Sequence, residues 1–110
     1  MNIYSCTDKG QVRSSNQDAF TTGTFDDGTV WAVVCDGMGG HVGGATASKI
    51  AVSTIIENLN NVYYDDPRIA IGESIDRANK AIIQKTIEQP ELAGMGSTCV
   101  LLLVRSGKVY

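Results

Sequence analysis

Residues 31–45, WAVVCDGMGGHVGGA, carry an apolar run of strand length into a single acid, Asp36, and then into five glycines between positions 37 and 44. Glycine lets another group approach the chain where a Cβ would obstruct it, so a run this bare implies that something comes very close to this backbone.

Working outward from that stretch, "DAFTTGTF" (18–25), "DDGT" (26–29) and "TVWAVVCD" (29–36) read as strand, Asp-Gly turn and strand. They predict a hairpin over 19–35 whose second strand is central. Upstream, "IYSCT" (3–7) is a further short stretch of β character. Downstream the period changes at Ala45. Ile50, Ala51, Val52, Ile55, Ile56 and Leu59 follow the spacing of an amphipathic helix, which "NLNN" (58–61) ends. A second helix starts at an Asp66 cap with Pro67 in the first turn and stops at Gln89-Pro90. Its predicted inward residues are Ile71, Ile75, Ala78, Ile82, Ile83 and Ile87; Gly72 inside it costs about 1 kcal/mol relative to alanine. After the loop "LAGMGS" (92–97), "TCVLLLV" (98–104) is again strand-like, and "RSGK" (105–108) turns into a short return. The expected class is α+β. So short a return beside so apolar a strand predicts that residues 1–110 are the front portion of one larger domain.

Composition narrows the function classes. The 110 residues are 43% hydrophobic with a net charge of −3 and no basic cluster, which argues against a nucleic-acid or anionic-membrane surface. No leader pattern and no run of about 18–20 apolar residues occurs, so a cytoplasmic protein is expected. Cys6, Cys35 and Cys99 are too few and too scattered for a disulfide framework, and each reads as a small buried apolar residue.

The glycine run does not fit the known phosphate cradles. From Gly37 and Gly39 the third glycine of a dinucleotide fingerprint would fall on Val42, and no lysine supplies a P-loop. Nucleotide binding is therefore the weakest of three readings. Asp36 is more informative. A carboxylate at the end of a buried strand either starts a turn and caps the helix or holds a cation. The Gly37 carbonyl could reach the same ion, and hard divalent cations such as Mg²⁺ or Mn²⁺ prefer such oxygens. In "RSSNQDAF" (13–20), Arg13 and Asp18 precede the strand that pairs with 29–35, so Asp18 is expected near Asp36. Singly, Arg13 reads as a surface residue and Asp18 as a turn acid. Together with Asp36 they form a pole suited to cations and a phosphate.

Three ordered motifs, "RSSNQDA" (13–19), "VVCDGMGGHVGGATAS" (33–48) and "GMGSTCV" (94–100), make the chain resemble the PP2C-like, or PPM-family, metal-dependent protein phosphatases in their bacterial form. The resemblance implies an α-β-β-α sandwich of roughly 240 residues, of which this chain is the N-terminal part. It implies hydrolysis of phosphoserine and phosphothreonine in proteins at a binuclear Mn²⁺ or Mg²⁺ centre, by direct attack of metal-activated water. By the same resemblance Asp36 bridges both metals, the Gly37 carbonyl binds one, Arg13 grips phosphate and Asp18 orients water. Ser97 and Thr98 look structural. The implied partners are phosphoprotein substrates and a cognate Ser/Thr kinase.

The chain also departs from the family pattern. Gln17 stands in place of a glutamate near the second metal, and Met38 in place of a histidine after Asp-Gly. His41 belongs to the bacterial form, with hydrogen bonding inside the glycine loop as its expected role. Ala45 replaces a glutamate. By the resemblance, further ligands from an Asp-Gly and an Asp-Asn near the family domain's C-terminal end would fall after Tyr110, so this chain alone is expected to bind metal weakly and turn over slowly or not at all. Its open sheet predicts a homodimer or strand exchange. The competing reading is a non-catalytic phosphatase-like interaction module.

Overall fold

The computed structural model describes residues 18–38 and 40–110, with the side chains of all of these except 18 and 40–42. In chain order the elements are β1 (Asp18–Thr24), β2 (Val30–Met38), α1 (Gly40–Asn61), α2 (Pro67–Glu88), β3 (Gly96–Arg105) and β4 (Lys108–Val109), with one 3₁₀ turn at Pro90–Leu92. The strands form one antiparallel sheet in the order β1-β2-β3-β4. The class is α+β and β2 is interior, as the sequence predicts. The segment 3–7 and Cys6 lie outside the described residues.

Local chemistry explains both tight turns. Between β1 and β2, Gly28 takes a φ of 87°, open to glycine without strain, and the Thr29 N–H donates to Asp27 Oδ1 at 2.9 Å. Between β3 and β4, Ser106 and Gly107 both have positive φ, 51° and 75°, the type I′ geometry whose twist matches a hairpin. Leu103 and Tyr110 then exchange backbone hydrogen bonds of 3.1 and 2.8 Å.

Burial alternates along β2. Trp31, Val33, Cys35 and Gly37 are buried against the helices, while Val34 and Met38 are about half exposed on the opposite face. On the covered side, Trp31, Val33, Cys35 and Leu103 meet Ala51, Val52, Ile55 and Leu59 of α1 and Ala70 and Ala78 of α2. Burying a side chain such as Ile55, which is 0% exposed, is worth about 1.5–3 kcal/mol. The other face is apolar and open. Phe20, Val34 and Val100 share one rung there, beside Leu102 and Val109.

Two helix readings are corrected. Helix α1 begins at Gly40, not at Ala45, and β2 runs on through Met38, so most of the glycine stretch is strand or helix and not a turn. The physical reason is Gly37. A side-chain carbon there would run into the Gly44 carbonyl, and one at Gly43 would lie 3.2 Å from Met95 Cβ. What comes close to this backbone is the protein's own next helix.

The second correction concerns α2. Its cap is as expected, with Asp66 Oδ1 accepting from the Arg68 N–H at 2.9 Å and Pro67 in the first turn. Its buried stripe, however, is Pro67, Ala70, Ser74 and Ala78. Ile71 and Ile82 are partly buried against the core, whereas Ile75, Ile83 and Ile87 are 39%, 51% and 68% exposed. Small residues let α2 approach α1 closely, and the helix turns that stripe inward. A buried polar contact fixes the approach: Asn58 Nδ2 donates to Ser74 Oγ at 2.9 Å and to Tyr64 Oη at 3.0 Å.

Candidate active site

The predicted pole sits where β1 and β2 meet the start of α1. Asp18 and Asp36 are direct partners in the β1–β2 register, and Thr98 is the partner of Asp36 on β3. Directly opposed residues of an antiparallel pair have Cα atoms about 4.5–5.5 Å apart, so the two acidic residues share one rung. Like charges at such a rung destabilise a sheet unless a cation or hydrogen-bond donors offset them.

The backbone of Asp36 is held from β3. Its N–H donates to Thr98 Oγ1 at 3.2 Å, the Thr98 hydroxyl returns to the Asp36 carbonyl at 3.3 Å, and Ser97 Oγ donates to that same carbonyl at 3.3 Å. The one Ser97 hydroxyl proton is shared between that carbonyl and the nearer Thr98 carbonyl at 2.7 Å. Ser97 and Thr98 are thus structural in a specific sense: they fix the backbone of the central acid. Only the sequence pair "ST" opposite "DG" hinted at this, and it shows once the register is known.

Asp36 is half-buried on the face of the sheet turned away from the helices, next to the buried Gly37. The Asp36 carboxylate and the Gly37 carbonyl are hard oxygen donors of the kind Mg²⁺ and Mn²⁺ take. Among the described residues no group of three or more His, Cys, Asp or Glu could hold a metal ion, so the donors fit such an ion in kind and fall short in number. Arg13 lies outside the described residues, as does the side chain of His41, whose backbone is in α1.

The motif pattern of this pole matches a known group. The family model for protein phosphatase 2C covers residues 5–110. The chain belongs to the protein phosphatase 2C family. A serine/threonine phosphatase from Listeria monocytogenes is 30% identical over 109 residues, spanning 94% of this chain and 42% of the relative. The Streptococcus agalactiae serine/threonine phosphatase structure superposes with a TM-score of 0.83 at 27% identity, over 94% of this chain and 44% of that one. The catalytic domain of the serine/threonine protein phosphatase PstP, solved with two manganese ions, gives a TM-score of 0.73 at 25% identity, over 93% and 50% of the two chains. The chain therefore spans less than half the length of the Listeria relative.

At the other end of the sheet the protein phosphatase 2C fold of this chain has a clasp that sequence reading missed. Arg105, expected only as part of a turn, donates from Nε to Thr29 Oγ1 at 2.9 Å and from Nη1 to the Tyr64 and Asp65 carbonyls at 3.2 and 3.0 Å. It also pairs with Asp27 at 3.7 Å. The Thr29 hydroxyl and N–H, with Arg105 adding a smaller attraction, hold the Asp27 carboxyl below its ordinary value of 3.8. Among the described residues no helix is long and apolar enough to cross a membrane.

Proposed function

We propose that this chain is the N-terminal portion of a single phosphatase domain that hydrolyses phosphoserine and phosphothreonine in proteins. The observation that carries the reading is the shared rung of Asp18 and Asp36, with Ser97 and Thr98 fixing the Asp36 backbone. A binuclear Mn²⁺ or Mg²⁺ centre would be held in part by the Asp36 carboxylate and the Gly37 carbonyl, with the remaining ligands outside this chain. Such cations polarise phosphoryl oxygens and lower the pKa of water. In such a centre Asp36 would hold the cations, Asp18 would orient water and Arg13 would grip the substrate phosphate, the last by the bidentate geometry that guanidinium offers. The manganese-bound PstP structure supports this choice of metal.

The substrates on this reading are phosphoproteins, the opposing enzyme is a Ser/Thr kinase, and the site of action is the cytoplasm. The rest of the domain covers the open apolar face that carries Val34, Val100 and Leu102; without it the chain self-associates or exchanges strands.

The test is p-nitrophenyl phosphate hydrolysis by the full-length protein with Mn²⁺, with and without chelator. Asp36→Asn is expected to lower turnover by on the order of 100-fold or more, as loss of a group that stabilises transition-state charge does. Chelator-insensitive turnover, or near wild-type turnover in Asp36→Asn, would refute the assignment, and no turnover by the full-length protein with Mn²⁺ would favour the non-catalytic module. The 110-residue chain alone should show weak Mn²⁺ binding that Asp36→Asn removes.

A further inference from the structure

Cys35 on β2 and Cys99 on β3 are direct partners in the sheet register, and both are free thiols. Opposed residues of an antiparallel pair have Cα atoms about 4.5 or 5.5 Å apart, according to the rung. Disulfides bridge Cα separations of about 4.4–6.8 Å, so the pair needs no large backbone movement to be joined. Being direct partners, the two side chains project from the same face of the sheet, where each perturbs the other's ionisation.

Their access to solvent differs. Cys35 is 0% exposed, whereas Cys99 is half-buried and lines an open cavity of about 380 Å³ beneath α2, with Gly72, Ile75, Asn79 and Ser97. The space next to Gly72 is clear: a Cβ there would meet nothing within 4 Å. A small oxidant therefore has a route to Cys99 but not to Cys35.

We propose that Cys35 and Cys99 form an oxidation site in which hydrogen peroxide reacts at Cys99 and the buried Cys35 closes a cross-strand disulfide. In the first step the Cys99 sulfur takes one oxygen as the peroxide O–O bond breaks; one water leaves and Cys99 becomes a sulfenic acid. In the second the Cys35 sulfur attacks the Cys99 sulfur; the S–S bond forms, the S–O bond breaks, and the hydroxyl leaves with the Cys35 proton as a second water. Two thiols lose two electrons in total and the peroxide is reduced to two waters. A thiol reductant reverses the link by thiol–disulfide exchange. The new bond lies one rung from the Asp36–Thr98 pair, so it ties β2 to β3 next to the anchored acid. The proposal does not depend on the phosphatase reading, because its test reads thiols.

The native protein, reduced and desalted, is exposed to hydrogen peroxide, quenched with an alkylating agent and digested without reduction. The expected product is an intramolecular peptide pair joining Cys35 to Cys99, two hydrogens lighter than the reduced sum and removed by dithiothreitol. In Cys99→Ser, the Cys35 thiol should survive the same exposure and be alkylated only after denaturation. In Cys35→Ser, Cys99 should gain oxygen without a link to another strand. Survival of both thiols in the unaltered protein, added oxygen on Cys99 without the link, or a link from either residue to Cys6 would overturn the proposal.

Discussion

Gly37 on β2 faces the carbonyl of Gly44 on α1 so closely that no side chain fits between them. The strand and the helix are therefore set by backbone contact. Gly37→Ala must push α1 away from β2, and overpacking of this kind costs about 1–3 kcal/mol. At about 4–8 °C of melting temperature per kcal/mol for a small domain, circular dichroism during heating would show the loss readily. An unchanged melting curve would mean that α1 stands off the strand.

Gly72→Ala should do the reverse. Its added carbon meets open space and the position is in the interior of α2, so the helix gains about 0.5–1 kcal/mol. A higher urea midpoint with an unchanged slope is the expected result.

Thr98→Val removes both side-chain bonds to the Asp36 backbone while keeping a β-branched residue on β3. The stability loss should be modest, about 1 kcal/mol. If Thr98 positions the acid, the full-length protein should also need more Mn²⁺ for half-maximal activity. A stability loss with no change in the metal requirement would confine Thr98 to the fold.

Asn58→Ala deletes the donor that Ser74 and Tyr64 share and leaves the fully buried Ser74 hydroxyl without that partner. A loss of about 1–3 kcal/mol is expected from denaturant titration, more than for a surface substitution.

Asp27 gives stability a pH dependence of known sign. Its carboxyl is held below 3.8 in the folded chain by Thr29 first, so its contribution is fully present above that value and is lost as pH falls through the lower folded value. Asp27→Ala should melt below wild type near neutrality, and the gap should close in acid. A gap that persists unchanged in acid would refute the linkage.

Much of this was legible in the residues. The Asp-Gly turn, the interior strand, the Asp66–Pro67 start of α2 and the stop before Pro90 follow from local chemistry, and the structure has each of them. Pairing the first two strands around that turn also brought Asp18 to Asp36. What escaped had no hydrophobic signal. Glycines 40, 43 and 44 form the first turns of α1 yet show no apolar period. On α2 the long isoleucines at 83 and 87 carry the apolar signal, while the buried stripe is made of a proline, two alanines and a serine. Arg105 was invisible because its partners come from two segments distant in sequence, 27–29 and 64–65, joined only by the folded chain.

The insertion of α1 and α2 between β2 and β3 also shapes the order in which the chain can fold. The β1–β2 hairpin needs only its own turn, but β2 and β3 must find each other across the whole of residues 39–95. Closing so long a loop as free coil is entropically unfavourable before any pairing offsets it. A helical hairpin formed first, zipped along Ala70, Ser74 and Ala78, brings the ends of that segment together and shortens the search. Refolding should therefore slow when the α1–α2 contact is loosened by Ser74→Gly, while Gly107→Ala at the β3–β4 turn should mainly hasten unfolding; stopped-flow kinetics would separate the two.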